Sequence, residues 1–169
     1  MVVSAMTDTP LDPTSLPLQP IAPDSSVRRF TKTFPTKLPP EVLWTEFTRT
    51  LSDSREGVLW ANNISWIHAL NAPLREGTVL AERMEPTGAV LHYRLMEFSP
   101  PKQLRYASLQ GHPLAASATV SIEASEGGAT LLWQGEYFGS ETQLLGLDRI
   151  HAAFFSRFAT QLQQLEAAR

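Results

Sequence analysis

Ser140 to Leu165 reads SETQLLGLDRIHAAFFSRFATQLQQL, and its large apolar side chains recur at steps of three and four. Leu144, Leu147, His151, Phe154, Phe155, Phe158, Leu162 and Leu165 fall on an arc of roughly 100° of a helical wheel, with Ala153, Arg157 and Gln164 opposite. Gly139 stops the segment before it, and Ser140 followed three residues later by Gln143 forms a capping box. The spacing predicts one helix of about seven turns that buries a single stripe. A stripe of that length needs a broad apolar surface to lie on.

The sequence upstream supplies a sheet. Ile64, Trp66, His68 and Leu70 alternate with Ser65, Ile67 and Ala69, the period of a strand with one richer face. Asn71-Ala72-Pro73 breaks that run, Thr78 to Met84 reads as the next strand, and Pro86-Thr87-Gly88 as a turn. Leu91, Tyr93 and Leu95 alternate with His92, Arg94 and Met96 up to Phe98, where Pro100-Pro101 forces a corner because neither can donate to a ladder. Leu104, Tyr106 and Ser108 follow, then Ala118, Val120 and Ile122, a Gly127-Gly128 hairpin, and Leu131, Trp133 and Tyr137. Strands joined by short turns pair antiparallel.

Further back, Val27 to Phe34 reads as a first strand, and Pro39-Pro40 opens a helix whose stripe is Leu43, Phe47 and Leu51. Asp53 begins a second short helical or turn segment carrying Leu59 and Trp60. Residues 1–25 hold Pro10, Pro13, Pro17, Pro20 and Pro23 and few large side chains, so they are expected to form a disordered, proline-rich tail before a domain at 26–169.

Composition narrows the function classes. In 169 residues, 43% hydrophobic and 18% charged content suits one globular domain. Asp8, Asp12 and Asp24 carry the net charge of -3, and the acidic residues after them balance the 14 basic ones. A neutral body without a basic cluster is a poor partner for nucleic acid or an anionic membrane. No apolar run is long enough to span a bilayer, and Met1 to Asp8 lacks the charge and apolar stretch of a secretory signal. With no cysteine, thiolate metal sites and cysteine nucleophiles drop out, and a cytoplasmic location is expected. His68, His92, His112 and His151 show no metal-ligand spacing, and no phosphate-binding or nucleophile-elbow motif occurs, so no metal or cofactor is expected.

Three motifs carry a resemblance. Leu74-Arg75-Glu76-Gly77-Thr78 leads into the third strand, Glu97-Phe98-Ser99-Pro100-Pro101-Lys102-Gln103-Leu104 turns between the fourth and fifth, and Gly127-Gly128-Ala129-Thr130 with Leu132 opens the seventh. In these and in element order, residues 26–168 resemble the START and birch-pollen-allergen superfamily (SRPBCC), more narrowly its polyketide cyclase/dehydrase and lipid-transport branch. The resemblance implies an α+β helix-grip fold: a curved antiparallel sheet of six to seven strands around a long C-terminal helix, with two short helices after the first strand. It also implies a cavity between sheet and helix that holds a hydrophobic or aromatic small molecule, lipid- or polyketide-like, in a monomer or homodimer. Two alternatives stay open: a cofactor-free cyclase/aromatase-like enzyme, and a protein-interaction module such as a chaperone activator.

On that reading the cavity wall is expected to comprise Trp66, His68, Leu91, Tyr93, Leu95, Tyr106, Trp133 and Tyr137 from the sheet, and Leu147, His151, Phe154, Phe155 and Phe158 from the helix. His151, mid-stripe, would meet a ligand, perform acid–base chemistry, or be satisfied by a backbone carbonyl or by water. Phenols of Tyr93, Tyr106 and Tyr137 would anchor a polar ligand atom or reach the rim. Glu97 shares the parity of Tyr93 and Leu95 and is either a buried acid or a wet strand end. The catalytic residues of an enzyme are not assignable from this pattern.

Overall fold

Seven strands form one antiparallel sheet in the order β1-β7-β6-β5-β4-β3-β2, and one long helix lies across it in the computed structural model, which describes residues 12–52 and 64–169, without the side chains of residues 64 and 65. The elements are β1 (Ser26–Thr36), α1 (Pro40–Ser52), β2 (Ile64–Ala69), β3 (Val79–Met84), β4 (Val90–Ser99), β5 (Gln103–Ser108), β6 (Ala115–Ser125), β7 (Gly128–Gly139) and α2 (Glu141–Ala167). The expected strands, the helix opened by Pro39-Pro40 and the capped long helix are all present. The expected second short helix, with Leu59 and Trp60, lies outside the described residues.

Local chemistry explains the joints. Gly127 adopts φ +75°, which an L side chain resists, and so closes the β6–β7 hairpin. Ser140 Oγ accepts from Gln143 N–H at 3.2 Å while Gln143 Oε1 accepts from Ser140 N–H at 2.9 Å, the reciprocal cap that starts α2. At the other end of α2, Glu166 accepts from Thr36 Oγ1 at 2.5 Å and from Lys37 N–H at 2.8 Å. The helix is thus tied at its end to the end of β1.

Between those ties the stripe meets the sheet. Phe158 is fully buried, its ring edge-on to Phe34 at 4.7 Å and to Trp133 at 5.7 Å. Phe47 of α1 closes the same cluster from the side, edge-on to Trp133 at 5.5 Å. Phe155 packs between Phe30 and Phe34, and Leu162 continues the contact. Burying aromatic rings in edge-to-face pairs supplies both area and geometry. Ala153, Arg157 and Gln164 are exposed, as the wheel predicts. Among the described residues no helix is long and apolar enough to cross a membrane.

Residues 12–25 correct the expected disordered tail. Beyond the last β5–β6 pair, Ala107 with Ser117, the edge of β5 is left unpaired, and the chain at Pro17–Gln19 fills it. Gln19 N–H donates to Ser108 O at 3.0 Å and Gln110 N–H to Pro17 O at 2.8 Å, while the Arg94 guanidinium donates to Leu16 O at 2.7 Å. Prolines lack a donor, but their carbonyls accept. Composition exposed the missing N–H groups and hid this complementary edge. The first eleven residues of the expected tail lie outside the described residues.

Candidate functional site

Where β3, β4 and β5 curve away from the first half of α2, a cavity of about 420 Å³ remains. Leu80, Glu82 and Met84 of β3, Leu91, Tyr93 and Leu95 of β4, and Leu104 and Tyr106 of β5 form its floor. Trp133 and Tyr137 of β7 and Phe30 of β1 form one side, and Leu147, His151, Phe154 and Phe155 of α2 the roof. Thr87 and Ala89 of the β3–β4 turn, Gly111 and Pro113 of the β5–β6 loop, and Ile150 of α2 are lining residues that also face solvent, which makes their end the mouth.

Apart from His151 in the roof and Thr87 at the mouth, the wall is apolar except for two hydrogen-bonded groups of side chains. In the first, His112 Nδ1 accepts from Leu114 N–H at 2.9 Å, which puts the proton of a neutral imidazole on Nε2. That nitrogen lies 2.8 Å from the Tyr93 hydroxyl oxygen, so the ring donates to it, and Tyr93 in turn donates to Glu82 Oε1 over 3.4 Å. Burial holds His112 down at about 4, against a weaker opposing effect of its Leu114 hydrogen bond, so the ring is neutral at ordinary pH. Burial pushes the Glu82 carboxyl up to about 7, and the Tyr93 hydrogen bond restrains the rise. The relay ends on a carboxylate with no second hydrogen-bond donor among the described residues.

In the second group, Trp133 Nε1 donates to the Tyr106 hydroxyl at 3.1 Å, and that hydroxyl faces the one of Tyr137. Burial first, and the Glu82 charge after it, raises Tyr137 above the usual phenol range. Burial does the same for Tyr93 and Tyr106. All three phenols stay protonated and can donate to a neutral acceptor.

His151 sits in the roof with its ring near Phe30 at 4.9 Å, Tyr137 at 5.1 Å and Phe155 at 5.1 Å. Burial lowers it to about 4. Neither of its nitrogens has a hydrogen-bond partner among the described residues, so the carbonyl-satisfied option falls away.

No family model and no curated protein sequence matches the chain. Solved structures do match its shape. "Crystal structure of Ara h 8.0201" superposes with a TM-score of 0.62 at 13% identity, over 82% of this chain and 99% of that one. A putative uncharacterized protein from Rhizobium leguminosarum gives 0.61 at 16% identity, over 83% and 97%, and the protein XoxI from Bacillus cereus 0.60 at 16%, over 82% and 95%. The chain has the helix-grip fold of the START and birch-pollen-allergen superfamily.

Within this helix-grip fold, ten of the thirteen expected wall residues do line the cavity: Leu91, Tyr93, Leu95, Tyr106, Trp133, Tyr137, Leu147, His151, Phe154 and Phe155. Three do not. Trp66 and His68 stack on each other at 4.7 Å on the opposite face of β2, with His68 exposed, and Ile67 points inward instead. A bulge between Ile64 and Trp66 is the reason: an extra residue shifts the alternation by one, so Ile67 pairs with the inward Glu82. Phe158 is one helical turn past the roof, where Phe34 and Phe47 already fill the space.

Of the two alternatives for Glu97, the strand end is the one observed. A second bulge, between Leu95 and Glu97, turns it toward exposed Arg105, and it accepts from Gln103 Nε2 at 3.0 Å at the strand end. The buried acid is Glu82. Its signal was present in the sequence: a carboxylate between Leu80 and Met84, at i±2, on the face that must turn inward. His112 carried no such signal, because a loop has no periodicity to place it.

Proposed function

We propose that this protein binds a hydrophobic or aromatic small molecule in the cavity between sheet and α2. The observation that carries the reading is an apolar chamber, open at one end, whose few polar side chains converge from separate strands and a loop on the same space. Pockets of this volume that combine apolar walls with a few placed polar groups are the usual form of small-molecule sites. The fold supports it as a class, since helix-grip proteins enclose space between sheet and helix.

The test is a titration with N-phenyl-1-naphthylamine, a neutral dye that fluoresces in apolar surroundings, on the wild type and on Leu91→Trp. The larger side chain should fill the chamber and abolish the rise in fluorescence while circular dichroism stays native. Equal binding by both proteins would place the dye elsewhere and remove the basis for the reading.

A second reading has a specific observation in its favour. A carboxyl near neutrality beside protonated phenols in an apolar pocket is an arrangement for acid–base chemistry on a carbonyl compound, as in a cofactor-free cyclase-like enzyme. The interaction-module alternative has less support, because such a module would work through an exposed apolar patch over a filled interior, whereas a cavity is left open here.

A further inference from the structure

Glu82 presents a carboxyl to the chamber with one long hydrogen bond, 3.4 Å from Tyr93, and no other donor among the described residues. Its neighbours across the sheet are Ile67 on β2 and Leu91 on β4, which offer it nothing polar. The titratable groups that face it are Tyr93 on β4, Tyr106 on β5 and Tyr137 on β7, with His112 of the β5–β6 loop acting through Tyr93 and His151 of α2 in the roof. Among the described residues no lysine or arginine lines the chamber. A buried carboxylate without a cation and with a spare acceptor oxygen is a costly thing to leave unmatched.

Resting on the reading of the chamber as a ligand site, we propose that its ligand is an apolar or aromatic molecule ending in a hydrogen-bond donor, foremost a protonated amine, seated on Glu82. Carboxylate-headed molecules such as fatty acids are then excluded. An ammonium would satisfy the free acceptor positions of Glu82 and restore neutrality, and the faces of Tyr93, Tyr106 and Trp133 would attract the same charge. A second carboxylate would meet the first with no lysine or arginine among the described lining residues to separate them. Because Glu82 must be ionised to hold the amine, affinity falls as the solution is acidified through the carboxyl's own titration near 7.

The experiment uses four probes on one skeleton: 1-naphthylmethylamine, 1-naphthalenemethanol, 1-naphthoic acid and 1-methylnaphthalene, titrated calorimetrically into the full chain and into Glu82→Gln. At about pH 8 the amine should bind about tenfold or more tighter than the hydrocarbon, the size expected of a charge-assisted hydrogen bond. The alcohol should fall between them and the acid below all three. The advantage of the amine should shrink at about pH 5.5, where Glu82 is protonated, and vanish in Glu82→Gln, while the acid gains. Circular dichroism checks that this near-isosteric variant is folded. If the hydrocarbon binds but the amine gains nothing, or keeps its gain in Glu82→Gln, the head-group proposal is wrong and the cavity reading stands. If the acid matches the amine, the proposal is likewise overturned. If no probe binds, the hydrocarbon included, the ligand-site reading falls with it.

Discussion

The Tyr93 hydroxyl lies 2.8 Å from His112 Nε2, and this contact joins the middle of a strand to a loop nineteen residues away in sequence. With the imidazole tautomer already set by the Leu114 N–H bond to Nδ1, it fixes two things together: the direction in which the phenol donates, and the acidity of Glu82 beyond it. Tyr93→Phe should therefore act on both. The lost hydroxyl leaves His112 Nε2–H without its acceptor, a change that should destabilise by about 1–3 kcal/mol in urea titration. Glu82 should titrate still higher, since the hydrogen bond that restrained its rise is gone. An unmoved Glu82 carboxyl resonance in a pH series would mean the two groups do not interact.

Glu82 has a measurable effect on stability. Folded, it holds its proton up to about 7; unfolded, only to about 4.5. Between those values the folded state binds more protons, so its stability is full below about 4.5 and declines as pH rises through 7, by on the order of 3 kcal/mol. Glu82→Gln cannot ionise. The variant should gain on the wild type steadily from about pH 4.5 to 8, and a constant difference across that range would contradict the assignment.

His151 has the opposite sign. Its folded value of about 4 lies below the ordinary 6.5, so the unfolded state takes up a proton first as solution is acidified. Stability is full above 6.5 and is lost as pH falls toward 4. His151→Leu should be close to neutral at about pH 7.5, having no partner to orphan, and more stable than wild type at about pH 5. Thermal melts at the two pH values decide it: a variant weaker at both would reveal a hydrogen bond that the ring must make.

Phe158 is fully buried where sheet, α1 and α2 meet. Phe158→Ala should cost about 3–5 kcal/mol, as a void beside the existing chamber. A loss under about 1 kcal/mol, typical of a surface position, would mean that the rings around it collapse to refill the space.

Removing residues 1–20 should expose the β5 edge that Pro17–Gln19 covers. The amide of Gln110, which donates to Pro17 O, should change from protected to rapidly exchanging with deuterium. The melting midpoint should fall by a few degrees, corresponding to about 1–2 kcal/mol of net hydrogen bonding after the regained chain entropy. Unchanged exchange at Gln110 would show that the segment is not held there in solution.

The sequence by itself determined the helix and the class of fold. The stripe from Leu144 to Leu165 has one solution at 3.6 residues per turn, and the caps at Ser140 and the turns at Pro100-Pro101 and Gly127 are local chemistry that needs no distant partner. It also supplied ten wall residues, because strand parity and helical phase carry an inward face wherever pairing is regular. Tertiary structure decided the rest. The bulges at Ile64/Trp66 and Leu95/Glu97 shift alternation by one residue, which turned Trp66 and His68 outward and chose the strand end for Glu97, leaving Glu82 as the buried acid. A bulge arises from how one strand fits its neighbour, so a single strand's pattern does not reveal it. The same holds for His112, and for the proline segment laid on β5. A loop histidine meets a strand tyrosine, and carbonyls meet an open edge, only because the folded sheet brings together groups whose separation along the chain carries no period.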